Sequence, residues 1–369
     1  MGGNTREQDV AITALWTQFR DPMVTEAGRA RALEALKAER KRATARVAME
    51  ASREFLYGGT RNLDVLDEAD MAAVPLERMQ AYLAATRTAG PRALVVVGDF
   101  DADALVARAT RLFADVAAVS PAPWNAPVVP FPHGRARTDH AEDPVGSSVL
   151  VAAWRRDLTD ETDRPALAVR RLLAAALNDA LREEVRERLG AAYAPRGMYR
   201  HDAEFGGFGM YTATTRTDAA AIGAVREAVR RVADRLARGD VPKGTANRLR
   251  GPILTALSTA ATSNQHWNGL LTQEARTGRP HLAWSAGFPA LLRTVTDADL
   301  AREAASAFGA PGAELTVIGE PAAKTAAVPP LPATSTMASG ASDISDASGA
   351  PNAGVPATPS ACTPTEALR

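Results

Sequence analysis

The chain has little with which to build a metal centre or a covalent framework. Among 369 residues there is one cysteine, Cys362, which excludes an internal disulfide and a thiolate zinc site. The five histidines are His133, His140, His201, His266 and His281, and no two lie within four residues of each other. The paired helical ligands of a zinc hydrolase motif are therefore absent, and no metal is expected to be bound by this chain. His201 with Asp202 and Glu204 comes nearest to a ligand cluster, but HDAE lacks a helical register and reads better as a solvated turn. Net charge is zero, with 43 basic and 43 acidic residues, so no global field draws the chain to nucleic acid or anionic lipid. The basic stretch Arg29 to Arg53 has no interleaved aromatics and reads as the wet side of a long helix. No apolar run reaches the length of a membrane span. The start, MGGNTREQDV, lacks the basic and apolar regions of a signal peptide, so the chain as written is expected in the cytoplasm.

What is present suits packed cores, since 46% of the residues are hydrophobic. Ser148 to Trp154 is a continuous apolar run, read as a buried strand. Leu173, Leu177, Leu181 and Val185 then recur every fourth residue, predicting a helix from Pro165 to Leu189 that enters at Asp163 and stops at Gly190. Strands are expected near Ala192 to Tyr199 and Phe208 to Thr215, where Gly206, Gly207 and Gly209 suggest a bulge or a close approach of another backbone. Five helices follow, over 218–238, 242–262, 265–277, 283–293 and 297–308, before a strand at Glu314 to Ile318. Gly251-Pro252 should break or kink the second of them. Grouped strands followed by grouped helices predict an α+β fold with helices on one face of a mostly antiparallel sheet.

The chain also repeats itself. Val74 to Asp99 aligns without gaps onto Val295 to Glu320 at an offset of 221 residues, pairing Leu94 with Leu315, Val96 with Val317 and Gly98 with Gly319. Each copy runs helix, turn, strand, so Leu94 to Asp101 should form a strand and turn, with Asp101 capping the next helix. One complete repeat is thus preceded by the back part of another. The organisation expected is a partial repeat over 1–119, a Pro-rich linker over 120–145, a complete domain over 146–320 and a disordered tail over 321–369.

Arg186 falls in the last turn of the first helix of the complete repeat, and Tyr193 follows three residues after Gly190, with Pro195 barring the helix from resuming. An arginine fork and a phenol suit a peptide carbonyl and the oxyanion that develops on it, although neither can activate water. The same spacing is met by a cation solvating a helix end and an ordinary half-buried aromatic, and spacing alone favours that plainer reading.

The string RERLGAAY from Arg186 to Tyr193, with the strand at Gly206, Gly207 and Phe208, resembles the C-terminal domain signature of the insulinase (pitrilysin) family of zinc metallopeptidases. LVVVGDFD at 94–101 resembles that family's strand and turn closing a repeat, and GDVPKGTANRLRGPILTAL at 239–257 with Asn264 to Trp267 is similar to the helical part of the bacterial periplasmic-type members. The resemblance covers Tyr57 to about Glu320 and implies the same α+β fold. It also implies that Arg186 binds substrate, that Tyr193 binds substrate and stabilises the oxyanion, and that Gly206 and Gly207 line an extended peptide, by strand addition if Phe205 to Thr214 is an edge. The family's zinc sits on an inverted H-x-x-E-H helix, which this chain lacks. Zinc is therefore expected in a complementary H-x-x-E-H half, on another polypeptide or a segment upstream, and this chain alone should be inactive. Its partners would be that half and a peptide substrate. The resemblance also implies a periplasmic alternative for the compartment.

Two other readings stay open on the sequence. One is a catalytically inactive scaffold or peptide-binding subunit of the same family; the other is a gene fragment without an independent role. A serine hydrolase is not supported, since Ser147 and Ser148 have no G-x-S-x-G elbow and no nearby histidine. Nor does the lone Gly98 offer a phosphate cradle.

Overall fold

A computed structural model of the protein describes residues 8–40, 44–58, 60, 68–88, 92–116, 125–143, 146–158, 160, 162–191 and 194–320, all within one compact unit. The tail 321–369 lies outside the described residues. Six helices precede residue 120 among the described residues: α1 Gln8–Arg20, α2 Glu26–Arg40, α3 Thr44–Tyr57, α4 Glu68–Ala73, α5 Leu76–Thr88 and α6 Ala102–Phe113. The long basic helix expected over 29–53 is thus seen as α2 and α3, with 41–43 outside the described residues. Then come β1 Ala136–Glu142, β2 Ser147–Arg155, α7 Arg164–Leu181, β3 Arg196–Asp202 and β4 Phe208–Asp218. The order closes with α8 Ile222–Ala237, α9 Thr245–Ala260, α10 Asn264–Thr277, α11 His281–Thr294, α12 Asp297–Phe308 and β5 Ala313–Glu320.

The entry signals act as local chemistry requires. Asp163 accepts from the Ala166 amide at 3.0 Å, with Pro165 in the first turn of α7, and Asp101 accepts from the Ala104 amide at 2.9 Å to open α6. Among the described residues strand β3 starts at Arg196, immediately after Pro195, whose ring nitrogen cannot donate to a ladder; the start expected near Ala192 lies outside the described residues. Pro252 does not break α9, which runs unbroken through it. The Arg250 guanidinium donates to the carbonyls of Leu292 at 2.9 Å and Val295 at 2.7 Å, tying α9 to the end of α11. These tertiary bonds offset the one helical bond that proline forfeits.

The five strands form one sheet in the order β1-β5-β2-β4-β3. Three of its pairings are antiparallel and one, β1 with β5, is parallel, which matches the α+β class expected. The stretch 120–145 contributes to this sheet, because β1 lies within it, and Val129 and Phe131 are buried. Strand β2 is buried along nearly its whole length because its alternating side chains enter two cores. Leu150, Ala152 and Trp154 meet the α7, α8 and α12 side, with Leu172, Leu177, Val225, Val229 and Leu300. Val149, Val151 and Ala153 meet the other side, with Phe208, Met210, Leu315 and Val317. That second face, expected to be without helices, is covered by α3 through Ala48, Ala51, Leu56 and Tyr57.

The repeat extends to the helices. Helices α2, α3 and α5 begin 219, 220 and 221 residues ahead of α9, α10 and α12. The strand expected at Leu94 is the exception: 94–97 is in no strand ladder among the described residues.

One polar network crosses the interior. Glu303 of α12 accepts from Arg156 Nε at 2.9 Å and Nη2 at 2.8 Å, and from Arg170 Nε at 3.1 Å. Arg170, only 6% exposed, also donates to the Tyr199 hydroxyl at 2.6 Å, and that hydroxyl donates to the Arg156 carbonyl at 2.9 Å. Burial chiefly pushes the Tyr199 and Tyr211 hydroxyls up, so both stay protonated and available as donors. Removing one member of a buried charge pair leaves the other uncompensated. Glu303→Ala is therefore expected to destabilise the chain by about 3–5 kcal/mol in urea unfolding; a loss below about 1 kcal/mol would show that the two arginines do not depend on this carboxylate.

Candidate functional site

The fourfold stripe that predicts α7 is real, with Leu173, Leu177, Leu181 and Val185 each at most 1% exposed. Its last part differs from a regular helix. Residues Arg182 to Arg188 form a π-helix, with its wider turn, before Gly190 reverses the chain at φ +63°. Glu184 and Val185 are both buried there, whereas Arg186 is exposed on the outer side of the same turn. The segment that follows is held to the sheet: the Ala191 amide donates to the Val185 carbonyl at 3.3 Å, and the Thr217 hydroxyl donates to the Ala191 carbonyl. Arg186 thus stands on a rigid mount at one end of the sheet. Tyr193 lies outside the described residues.

Glu184 is the charged group beneath this mount that sequence reading did not single out. It accepts from Arg231 Nε of α8 at 2.9 Å and from Arg188 Nη1 at 3.0 Å. Burial by itself raises its pKa, but Arg231, Arg188 and Arg235 together more than offset that, and the carboxyl is held below the usual glutamate range. Only the Glu184 to Arg188 spacing was visible as a helical pair, because Arg231 is 47 residues away.

Gly206 and Gly207 are placed elsewhere. They form the turn between β3 and β4, both with positive φ, at +64° and +76°. The seven residues of β3 separate that turn from the end where α7 stops, a distance of about 20 Å at the strand rise. Both main-chain groups of Gly207 are used internally, its amide donating to Asp202 at 3.1 Å and its carbonyl accepting from Leu158 at 2.7 Å. Nor is the glycine-bearing strand an edge. It is β4, paired on one side with β2 and on the other with β3, so strand addition along Phe205 to Thr214 is corrected: no peptide can enter a ladder already filled on both sides. The close approach that glycine signalled is at Gly209, where a Cβ would meet the Arg156 carbonyl at 2.6 Å and the Tyr199 hydroxyl at 2.7 Å.

The described residues do not fit a zinc ion. No three His, Cys, Asp or Glu side chains among them converge to hold a metal. Near His201, Glu204 instead pairs with Arg276 of α10. What the α7 end presents is an exposed arginine, a residue type whose planar fork can pair with an anion or a polarised carbonyl.

The family model for the peptidase M16 inactive domain matches residues 74–250, which include the α7 end. The fold is similar to that of PqqL, a periplasmic protease of Escherichia coli, with a TM-score of 0.66 and 17% identity over 86% of this chain. It is also similar to a peptidase M16 inactive domain from Pseudomonas fluorescens, with a TM-score of 0.67 and 17% identity over 85% of this chain. An M16-like peptidase from Alicyclobacillus acidocaldarius gives 0.62 and 14% over 84%. The chain spans 36% of PqqL and 76% and 74% of the other two. No curated protein matches. At these identities the likeness is one of fold. Among the described residues no helix is long and apolar enough to cross a membrane.

Because the folded Glu184 carboxyl titrates below its unfolded value, its pairing stabilises the chain above the ordinary glutamate pKa and is lost as pH falls through the lowered folded value. Glu184→Gln removes that dependence. Urea midpoints measured as pH is lowered through the carboxylate range should fall less steeply in the variant than in the parent; parallel curves would show that Glu184 is not held ionised by its arginines.

Proposed function

We propose that this chain, whose residues 74–250 match the family model of the peptidase M16 inactive domain, is a zinc-free half of an M16 (insulinase-type) metalloendopeptidase. In this reading Arg186 binds the carbonyl or carboxylate side of an extended peptide. Tyr193 donates to the oxygen that becomes negatively charged during peptide hydrolysis. The complementary half, bearing H-x-x-E-H, supplies the metal, the general base and the attacking water. This chain by itself hydrolyses nothing.

The observation that carries the reading is the mounting of Arg186. Arg186 is exposed on a π turn whose inner residues, Glu184 and Val185, are buried. Binding groups gain from rigid support, because the ordering cost is met during folding and not on encounter with substrate. Seven residues beyond it comes Tyr193, in the same matched segment. Gly206 and Gly207 are not assigned to this site, since β3 separates their turn from it.

The test mixes this chain with an H-x-x-E-H-bearing M16 half, zinc and an internally quenched peptide. Tyr193→Phe is expected to lower kcat about 10²-fold, the usual loss on removing one oxyanion donor. Arg186→Ala should act mainly on KM, and Arg186→Lys should restore little, because an ammonium lacks the planar fork. Full activity in both Tyr193→Phe and Arg186→Ala would sink the assignment.

A further inference from the structure

A recess of about 380 Å³ lies between the C-terminal half of α8, the turn from α12 into β5 and the residues leading into β1. Its floor is apolar. Trp154 of β2 and Phe308 of α12 meet edge to face there, with ring centroids 5.0 Å apart, and Val229 and Ala233 of α8 pack beside them. The indole is only 7% exposed, yet its Nε1–H meets no acceptor among the described residues. A buried indole N–H ordinarily finds one. Gly312 accounts for the opening: a Cβ there would sit 2.7 Å from Trp154 Nε1 and 2.9 Å from the Ala153 carbonyl, so a side chain at 312 would close over the donor.

The rim carries Arg135, Arg230, Asp234 and Glu314, and two of these are already committed to each other. Glu314 of β5 pairs with Arg230 Nη2 at 3.3 Å, while Glu227 holds Nη1 of the same guanidinium at 3.0 Å. Asp234 lies one helical turn beyond Arg230, at a spacing where the two could pair, but both arms of the arginine are taken. Neither Asp234 nor Arg135 makes a side-chain hydrogen bond or ion pair among the described residues. The recess thus offers one cation, one anion and one open N–H around an apolar floor.

We propose that this recess binds a small zwitterion, a free α-amino acid or a dipeptide. Arg135 and the Trp154 N–H donate to its carboxylate, Asp234 accepts from its ammonium, and the Trp154 and Phe308 rings receive an apolar side chain. A ligand with one charge alone would leave either Asp234 or Arg135 unmatched. The volume is near the lower end of the range for small-molecule sites, about 300–1,000 Å³, which suits one or two residues and not a folded partner. Helix α8 stands between this recess and the α7 end, since Arg231 reaches Glu184 on one side and Arg230 reaches Glu314 on the other. The proposal is independent of the roles given to Arg186 and Tyr193.

The test follows the indole itself. The full chain is labelled with ¹⁵N-tryptophan, which gives one indole N–H signal for each of its five tryptophans, and Trp154→Phe identifies the signal of Trp154. Titration with L-leucine and with glycyl-L-leucine should shift that signal saturably, with a Kd at or below about 1 mM for at least one of them, while the other indole signals stay in place. The tighter of the two gives the length of the ligand. Exposed Asp234 and Arg135 can be changed without disturbing the core. Asp234→Asn is expected to weaken the tighter probe about tenfold and to leave its N-acetyl derivative unaffected. Arg135→Gln should weaken the same probe about tenfold and leave its C-terminal amide unaffected. No saturable shift with either probe up to about 20 mM, or an affinity unchanged in either variant, overturns the proposal.

Discussion

The two-sided burial of the central strands is the constraint on which the rest of the architecture depends. Strand β2 sends Leu150, Ala152 and Trp154 to one core and Val149, Val151 and Ala153 to another, and β5 adds Leu315 and Val317 to the second. Such strands are stable only if both faces are covered, because each exposed Val or Leu forfeits about 1.5–3 kcal/mol of burial. The second cover is α3, a helix of the preceding repeat. The two repeats are therefore interlocked, with the back part of the first serving as the lid of the second. By the same correspondence α10 stands where a lid on the first would be.

The complete repeat divides its polar chemistry between the two ends of its sheet. At the β3–β4 turn, Arg156, Arg170, Tyr199, Tyr211 and Glu303 bind one another inside the fold, and Gly209 is small enough to let the Arg156 carbonyl approach. At the α7 end the charges face outward, with Glu184 neutralised by Arg188 and Arg231 beneath the exposed Arg186. A closed network locks elements together, whereas the α7 end keeps its arginine at the surface.

Legibility followed the range of the forces involved. The stripe from Leu173 to Val185, the caps Asp163 and Asp101 and the buried run of β2 act within a few residues and could be read directly. The failures involve distant partners. Pro252 leaves α9 intact because Arg250 binds carbonyls more than forty residues away. Leu94 to Val97 has strand composition and the repeat's register, yet it is in no ladder among the described residues, and composition alone does not supply a paired neighbour. Gly206, Gly207 and Arg186 share a stretch of sequence, but the length of β3 keeps them apart.

By itself the sequence determined the α+β class, the repeat at 221 residues, the helix that carries Arg186 and the lack of an H-x-x-E-H motif, since composition, periodicity and spacing are local properties of a chain. The tertiary structure decided which strands are edges, which glycines are used internally, that the end of α7 widens into a π turn over a neutralised glutamate, and that one repeat lends its helix to the other. Those outcomes depend on contacts between residues tens to hundreds of positions apart, and side-chain pattern along a single chain does not encode which distant surface will complete a face or an edge.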